Sequence, residues 1–408
     1  MNNYQYLIIG GGIAGVTAAE TIRRHNHDAT IGIIADEPYP LYSRVLLPSY
    51  LKRKIPRQKV FLRTMDDFTA QQIELRTQET VVSIDIKRKD VTLAQGASLG
   101  YNKLLIASGG HATPWGNPED QGFIYRLHTL DDADRLFHAF ATITSPLIIG
   151  SSFISLEFLE IFLANGIMPK LLSRDPFFFG SMLEESGAEL LRENFERHGI
   201  VTRFNDQVAR LTLQQGGFSI LAKSGMAYTC DALGVGVGLT RNVNFLKESG
   251  ITIGKQGVSA NEFLETSSEG VFAAGDVAEY YNPLTQSHRV VGNWTSAFLQ
   301  GTAAGMNMLG QREPFRAIPA YSITNLGFQI TALGDCSAEE AIARIDQHRK
   351  QYERLFLRQG MLIGAVMINK FTDKAHITRL IETQTPLAPY QERLADMAFD
   401  IHEIPVLG

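Results

Sequence analysis

The 408-residue sequence has few cysteines, no long apolar run and no excess of positive charge. Cys230 and Cys336 lie far apart and in no CxxC pair, which excludes a disulfide scaffold and a clustered zinc site and is compatible with a reducing compartment. No apolar run reaches the roughly 18 residues that a membrane span needs, and the first six residues lack the charged start of a signal peptide. With 38 basic and 43 acidic residues the net charge is −5, which argues against a nucleic-acid partner. We therefore expect a cytoplasmic protein without a membrane span.

The apolar residues that are present suffice for several packed cores. They make up 44% of the chain, and charged residues make up 20%, close to the globular average. At roughly 100–200 residues per domain, the length predicts two to four domains. The order strand, glycine turn, helix, strand occurs twice, from residue 4 and from Leu147, and each occurrence predicts a parallel βαβ unit. From residue 314 the pattern changes to short strands and charged helices over 338–351 and 374–382, which predicts a separate C-terminal domain.

Gly10, Gly12 and Gly15 form a GxGxxG motif directly after the first predicted strand and before a helix. In this context the first glycine permits a tight turn, the second lets a pyrophosphate approach the backbone, and the third lets the helix pack closely on the strand. The next strand ends near Asp36 and Glu37, where a carboxylate can accept hydrogen bonds from a ribose. Glu37 is the preferred residue and Asp36 the second. The motif predicts a bound dinucleotide, and the plainer interpretation is a glycine-rich turn that binds nothing.

Several segments together resemble the flavoprotein reductases that have two dinucleotide-binding domains. They are the first glycine turn, residues 42–44, the strand that leads to Gly109, and residues 270–276. NADH:rubredoxin reductases and the flavin module of assimilatory nitrite reductase are the most similar members. Segments 294–301 and 352–366 extend the resemblance over nearly the whole chain. The resemblance implies FAD as a cofactor and NADH or NADPH as the electron donor.

The resemblance also assigns roles to individual residues. The first turn holds the FAD pyrophosphate, Glu37 its ribose, Val82 the adenine through its backbone, and Asp276 the ribityl chain. Arg44 lies near the flavin ring, and Glu157 approaches the flavin and pairs with Arg44, so these two are the predicted catalytic residues. A surface salt bridge for Arg44 and a turn cap for Asp276 are the plainer interpretations. No metal site is predicted. The predicted FAD set is Gly10, Gly12, Ile13, Ala14, Gly15, Asp36, Glu37, Arg44, Val82, Ala107, Ser108, Gly109, Gly275 and Asp276.

The second glycine turn departs from the family pattern. It retains Gly150 but has Ser152 and Ser155 at the other two glycine positions, so a side chain lies where the backbone should meet a pyrophosphate. The serine hydroxyls can still bond a phosphate, so we expect weakened rather than abolished nucleotide binding. After the following strand, Arg174 faces a 2′-phosphate or is simply exposed, and the phenylalanines 177–179 obstruct the nucleotide channel or belong to the core. The predicted NAD(P) set is Gly150, Ser152, Glu157, Arg174 and Gly236.

A redox-active cysteine is missing from the segment where members of this family often carry one. Residues 42–48 contain no sulfur, and Cys230 and Cys336 lie elsewhere in the sequence. We therefore expect the flavin to exchange electrons directly with its acceptor. The same region carries a basic patch, which docks an acidic carrier or is an ordinary solvated loop. The patch comprises Arg44, Lys52, Arg53 and Lys54.

The predicted fold class is α/β, with two Rossmann-like dinucleotide-binding domains of the glutathione-reductase type plus a C-terminal α+β domain. Residues 1–118 and 242–313 form a discontinuous FAD-binding domain, 119–241 the NAD(P)-type domain, and 314–408 the C-terminal domain.

The predicted function is an FAD-dependent oxidoreductase of the electron-transfer type. It passes electrons from NAD(P)H through flavin to a one-electron carrier: a rubredoxin, a ferredoxin, or an iron–sulfur or haem partner. The alternative is an FAD-containing electron-transfer subunit of a larger redox complex that no longer binds NAD(P)H. A homodimer and a hetero-oligomer are both compatible with the sequence.

Overall fold

A computed structural model of the protein describes residues 2–407. The helices among these residues are α1 (Ile13–His25), α2 (Leu47–Leu51), α3 (Met65–Ala70), α4 (Leu130–Ala139), α5 (Phe153–Ala164), α6 (Glu185–Arg197), α7 (Trp294–Met308), α8 (Lys374–Glu382) and α9 (Gln391–Leu394). The strands are β1 (Asn2–Ile9), β2 (Ile31–Ile34), β3 (Ile73–Arg76), β4 (Val81–Asp85), β5 (Asp90–Leu93), β6 (Ser98–Ile106), β7 (Gly110–Ala112), β8 (Ile124–Tyr125), β9 (Pro146–Ile149), β10 (Lys170–Leu172), β11 (Val201–Arg203), β12 (Val208–Gln214), β13 (Gly217–Ala222), β14 (Ala227–Cys230), β15 (Ala232–Val235), β16 (Leu239–Arg241), β17 (Val258–Ala260), β18 (Val271–Ala273), β19 (Ala278–Asn282), β20 (Ser287–Arg289), β21 (Ala320–Asn325), β22 (Phe328–Gly334), β23 (Ala341–Asp346), β24 (Gln351–Arg358) and β25 (Met361–Ile368).

The described chain divides into two compact units. Unit 1 comprises the residues up to Val45 together with Pro56–His111 and Leu239–Pro319. Unit 2 comprises Leu46–Ile55, Ala112–Gly238 and the residues from Ala320 onward. The predicted FAD-binding segments fall mainly in unit 1, whereas the predicted NAD(P)-type and C-terminal segments both fall mainly in unit 2. The division into three domains therefore stays a prediction.

Unit 1 is built on a sheet whose strand order is β3-β2-β1-β6-β5-β4, with β18 also paired to β6. The pairs that involve β1, β2, β3 and β18 are parallel, and β4–β5–β6 form an antiparallel meander. β2 reads Ile-Gly-Ile-Ile and is buried throughout, as expected of a parallel strand covered on both faces. Because parallel strands end at the same edge of a sheet, the segments after β1, β6 and β18 meet there.

Unit 2 repeats this plan and adds two antiparallel sheets. Its parallel sheet has the order β11-β10-β9-β15-β8, and β12–β14 form an antiparallel sheet. The C-terminal sheet has the order β21-β22-β25-β24-β23. Arg354 of β24 donates to the carbonyl oxygens of Met182 and Leu183, at 3.2 and 2.9 Å, so the C-terminal sheet is anchored within this unit. The predicted α/β fold class is confirmed.

The predicted helix over residues 338–351 is wrong, because this segment contains strand β23 and the turn that follows it. Alanine, glutamate, arginine and lysine favour helices, but here β23 pairs with β24 in antiparallel register, with Ile342 opposite Leu355 and Arg344 opposite Glu353. Tertiary pairing overrides the local preference. The helix predicted over 374–382 is confirmed as α8.

Candidate functional site

The first glycine turn has a backbone that only glycine satisfies at two of its positions. Gly10 has a φ of +120°, and a Cβ added there would lie 2.1 Å from the carbonyl oxygen of Ala107. A Cβ added at Gly15 would lie 2.1 Å from the carbonyl oxygen of Gly10. Gly12 differs, because a Cβ added there would meet no atom of the described residues within 4 Å. Gly10 and Gly15 therefore serve the turn itself, whereas Gly12 faces open space.

The start of α1 offers free backbone donors to that space. Gly12 is the N-cap of α1 and supplies no capping side chain within the described structure. The first N–H groups of a helix have no partner inside the helix, and the helix dipole favours an anion at this end. Ile13, Ala14 and Gly15 are the residues that carry these groups. The geometry suits a phosphate group.

The acidic residue expected to bind ribose is held by two neighbours. The Tyr42 hydroxyl donates to one carboxylate oxygen of Glu37 at 2.6 Å, and Arg44 Nη2 lies 2.6 Å from the other. Both contacts orient the carboxylate just beyond the end of β2. Asp36 is exposed beside it. Val82, expected near adenine, lies on β4 with 47% of its surface exposed.

The segment after β6 is tied to the chain near residue 242. The Ser108 hydroxyl donates to the carbonyl oxygen of Asn242, and the Asn242 amide donates to the carbonyl oxygen of Ser108, each at 2.9 Å. Gly109 has a positive φ of 58° and accepts a hydrogen bond from the Asn242 backbone at 3.0 Å. Residues 107–109 are thus fixed at the sheet edge to which the first glycine turn also belongs.

Asp276 brings a carboxylate to the same edge. It follows β18 directly after Gly275, whose φ of +81° favours glycine and where an added Cβ would lie only 3.1 Å from the Cβ of Ala14. Burial raises the pKa of the Asp276 carboxyl, and the guanidinium groups of Arg241 and Arg44 lower it. A half-buried carboxylate beside positive charge is suited to accept hydrogen bonds from the hydroxyl groups of a ligand.

Unit 2 has a cavity of about 700 Å³ at the corresponding edge of its own parallel sheet. Gly150, Ser152 and Gly236 line it, together with Arg174 and Asp175 from the segment after β10. Of the predicted NAD(P) residues, four thus line one cavity. A volume in the range of 300–1,000 Å³ is typical of small-molecule sites.

The serines of the second turn are engaged in hydrogen bonds of their own. The Ser152 hydroxyl donates to the carbonyl oxygen of Gly236 at 2.9 Å and accepts from the Ser155 backbone at 3.3 Å, which caps α5. Ser155 is fully buried. One helix N–H group that an anion would use is therefore already occupied, in contrast to the uncapped start of α1.

The segment after β10 separates into a charged pair and a core cluster. Arg174 is 83% exposed, with its Nε 3.9 Å from Asp175. Asp175 accepts a short hydrogen bond from the Ser151 hydroxyl and thus faces the glycine turn. Phe178 and Phe179 are buried, in keeping with the core interpretation, but Phe179 also lines the unit 2 cavity, so the two interpretations of this run stay open.

The cation beside Glu157 is Lys52, whereas the sequence analysis named Arg44. Lys52 Nζ lies 3.9 Å from Glu157 Oε2 and donates to Glu160 within hydrogen-bond distance. The Asn325 amide donates to both carboxylates, at 3.1 and 2.9 Å. Because the Lys52 side chain is only 8% exposed and is paired with Glu160, it is also not available to the predicted basic docking patch.

Sequence reasoning missed Asp175, Glu160 and Asn325, and it named Lys52 only as part of the basic patch and not as the cation beside Glu157. A signal for Asp175 exists, because it follows Gly150 by 25 residues, much as Glu37 follows Gly10 by 27. A weaker signal exists for Lys52, since a glutamate on the apolar helix α5 requires a cation. Nothing local marks Asn325 as their common donor.

The comparisons with known proteins bear on this arrangement of two dinucleotide-type sites. Residues 4–301 match the pyridine nucleotide-disulphide oxidoreductase family, and residues 319–385 match the C-terminal domain of rubredoxin NAD+ reductase. The chain belongs to this oxidoreductase family. The resemblance predicted from the sequence is thereby confirmed, and with it FAD and NAD(P)H as the cofactors of an oxidoreductase. The individual cofactor contacts stay predictions.

Several relatives match nearly the full length of this oxidoreductase. The NADH-dependent phenylglyoxylate dehydrogenase subunit epsilon of Aromatoleum evansii is 25% identical over 95% of this chain and 94% of its own. The ferredoxin–NAD(+) reductase component of the 3-phenylpropionate/cinnamic acid dioxygenase of Photorhabdus laumondii is 27% identical over 93% and 97%. A solved structure of a covalent putidaredoxin reductase–putidaredoxin complex has a TM-score of 0.90 over 99% of this chain and 98% of that chain, at 21% identity, which supports the fold alone.

Residues 2–407 contain neither a candidate membrane-spanning helix nor a candidate metal-binding cluster. No helix in this range is both long and apolar enough to cross a membrane. No group of three or more histidine, cysteine, aspartate or glutamate side chains in this range is arranged to hold a metal ion.

Proposed function

We propose that this oxidoreductase passes electrons from a reduced nicotinamide nucleotide through FAD to a one-electron carrier protein such as a ferredoxin or a rubredoxin. The observation that carries the proposal is the pair of unlike dinucleotide sites in one chain: the open, uncapped turn at Gly12 in unit 1 and the cavity of about 700 Å³ in unit 2. The relative named as a ferredoxin–NAD(+) reductase component supports this assignment. A cytoplasmic location stays a prediction.

The residues of unit 1 fit FAD. Gly12 leaves space for a diphosphate at the start of α1, Glu37 presents an oriented carboxylate for ribose, and Asp276 presents a half-buried carboxylate for a polyol chain. Arg44 supplies positive charge close enough to lower the pKa of Asp276, as a site that stabilises a reduced, anionic cofactor requires. When bound, FAD supplies the ability to accept two electrons together and release them singly.

Asp175 supports NADH rather than NADPH as the donor. An acid after the second strand of a nucleotide-binding unit accepts hydrogen bonds from a ribose 2′-hydroxyl, whereas an arginine accommodates a 2′-phosphate. Here both residues line the cavity, but Asp175 also bonds to the glycine turn, whereas the Arg174 side chain is 83% exposed.

The Asp175→Asn variant is expected to bind NADH more weakly. Loss of a hydrogen bond to a charged group costs about 1.5–3 kcal/mol, which corresponds to roughly 10- to 150-fold in KM for NADH, with kcat little changed. Steady-state kinetics with NADH and NADPH measure this, and Arg174→Met is the matched control with KM for NADH unchanged. If Arg174→Met instead impairs NADPH turnover and Asp175→Asn changes nothing, the donor assignment is wrong.

The proposed route does not use a cysteine. Burial raises the pKa of the Cys230 thiol to about 12, so it is not a thiolate at neutral pH. Cys336 Sγ donates to the carbonyl oxygen of Leu333 at 3.2 Å. We expect the double variant Cys230→Ala/Cys336→Ala to reduce a carrier within about twofold of the wild-type rate, measured by stopped-flow absorbance. A drop of tenfold or more in a folded, FAD-loaded variant contradicts the direct route.

The function is tested by NADH-driven reduction of two probe carriers, a rubredoxin and a [2Fe–2S] ferredoxin, followed by their absorbance. The expected result is reduction of at least one probe that depends on both NADH and bound FAD. Reduction of neither, by a protein whose flavin NADH readily bleaches, would contradict the carrier assignment.

The second candidate is an FAD-containing relay subunit that has lost its nucleotide. It is favoured by the capped start of α5, where the Ser152 hydroxyl occupies an N–H group that a phosphate would use. The relative named as subunit epsilon of a larger dehydrogenase is in keeping with a subunit role. In that case dithionite bleaches the flavin and neither nucleotide does.

A further inference from the structure

The polar cluster around Lys52 contains two carboxylates and one ammonium group. The side chains of Lys52, Glu157 and Glu160 are only 8, 12 and 19% exposed. Lys52 donates to Glu160 but lies 3.9 Å from Glu157, beyond hydrogen-bond distance. Asn325, itself buried, donates one amide to both carboxylates. The Asn325 amide donates hydrogen bonds to the carboxylate oxygens but carries no charge. The cluster therefore has two carboxyl groups and only one ammonium group, which is hydrogen-bonded to one of them.

The two acids compete because they share one face of α5. Residues three apart on a helix are neighbours, and like charges at this spacing repel. In a water-poor site a second uncompensated carboxylate is costly, and the usual resolution is that one acid keeps its proton. The ammonium is in hydrogen-bond contact with Glu160, so Glu160 is the acid whose charge the ammonium compensates.

We infer that Glu160 is a positioning residue that takes the ammonium of Lys52 and thereby leaves Glu157 as a protonated, exchangeable carboxylic acid at neutral pH. The role of this acid rests on the proposed function, because that reaction releases a proton. Oxidation of one NAD(P)H by two one-electron carriers gives NAD(P)+, two reduced carriers and one proton. A carboxylic acid that exchanges its proton can pass this proton on. Its O–H bond breaks as the proton leaves to water and forms again with the next proton, and no electron passes through Glu157.

The electrostatics of the surrounding elements agree with this assignment. Burial raises the pKa of the Glu157 carboxyl most, and the charge of Glu160 raises it further. Lys52, the Asn325 amide and Lys54 lower it without reversing the direction. Tyr321 of β21 also faces Glu157, and burial raises the pKa of its phenol, so it stays neutral and adds no charge to the cluster.

The test is infrared spectroscopy of the FAD-loaded protein, in which the C=O band of a protonated carboxylic acid is followed against pH. At pH 7 the wild type should show a band that Glu157→Gln removes and that the exposed control Glu196→Gln, on α6, retains. In Glu160→Gln, Lys52 is released to Glu157, and the midpoint of the band should fall by about 1–3 pH units. No Glu157 band at pH 7 in the wild type, or an unchanged midpoint in Glu160→Gln, overturns the inference.

A second variant keeps the test decisive if Glu160→Gln does not fold. Lys52→Met removes the ammonium, so a second protonated carboxylic acid, that of Glu160, should become visible at pH 7. An unchanged spectrum in Lys52→Met contradicts the inference. The band requires neither nucleotide nor carrier, so failure of the proposed function, seen as absent carrier reduction, is distinguishable from failure of this inference.

Discussion

The Gly12→Val variant should fold like the wild type and bind FAD roughly 5- to 150-fold more weakly, the equivalent of an overpacking cost of about 1–3 kcal/mol. Gly12 has a φ of −76° and a ψ of −178°, which any residue can adopt. An added Cβ meets no atom of residues 2–407 within 4 Å, so the protein itself has little to lose. The methyl groups would project into the space assigned to the diphosphate. Titration of the apoprotein with FAD, followed by quenching of flavin fluorescence, measures the effect.

Gly122→Val is the matched control for this substitution. A Cβ added at Gly122 likewise meets no atom of the described residues within 4 Å, and its φ is not in the left-handed region. Gly122 lies in a short turn before β8 and does not line the unit 2 cavity. We expect FAD affinity within about twofold of wild type. Equal affinity in Gly12→Val and Gly122→Val would mean that the first glycine turn does not receive the diphosphate.

The Arg344→Met variant should lose about 3–5 kcal/mol of unfolding free energy, as expected when one partner of a buried ion pair is removed. Arg344 and Glu353 are almost completely inaccessible to solvent, and Arg344 Nε and Nη2 lie 2.7 and 2.5 Å from one carboxylate oxygen. Arg344 also donates to the carbonyl oxygen of Phe399 at 2.9 Å, which ties the C-terminal segment to β23. Denaturant unfolding measures the loss.

The loss of unfolding free energy in the Arg344→Met variant should depend on pH. Burial raises the pKa of Glu353 to about 7 even though Arg344 opposes it, and removal of the guanidinium raises it further. Wild type and variant both lose stability as the pH rises from the unfolded pKa of about 4.3 to about 7, and only the variant, whose folded Glu353 pKa is higher, goes on losing it above pH 7. The deficit should therefore be larger at pH 8 than at pH 5. The exposed Arg349, 3.8 Å from Asp346, provides the control, because Arg349→Met should cost at most about 1 kcal/mol. Equal losses in the two variants would contradict the account of the buried pair.

The parts of the site that the sequence could predict are those that local backbone geometry dictates. Gly10 and Gly15 are needed because a Cβ at either would collide with a carbonyl oxygen, and this need shows directly in the spacing of the motif. The strand, turn and helix around them follow from the same short segment. The family resemblance then placed Asp276 at the edge of the same sheet.

The parts that the sequence could not predict depend on partners distant along the chain. Lys52 meets Glu160 across 108 residues, and Asn325 reaches Glu160 across 165, so the partner of Glu157 was misassigned to Arg44. The helix predicted near Arg344 failed for the same reason, since the pairing of β23 with β24 outweighs the helix preference of its residues. A local pattern can indicate that Glu157 needs a cation, but it does not tell which distant residue supplies it.

The most direct test of the central claim is an anaerobic titration of the FAD-loaded protein with NADH and, separately, with NADPH, following the flavin absorbance. The claim that electrons enter from a nicotinamide nucleotide bound in the cavity of unit 2 predicts stoichiometric bleaching by NADH, with NADPH less effective. A protein that dithionite bleaches but that neither nucleotide reduces would contradict the claim and leave the relay subunit as the function.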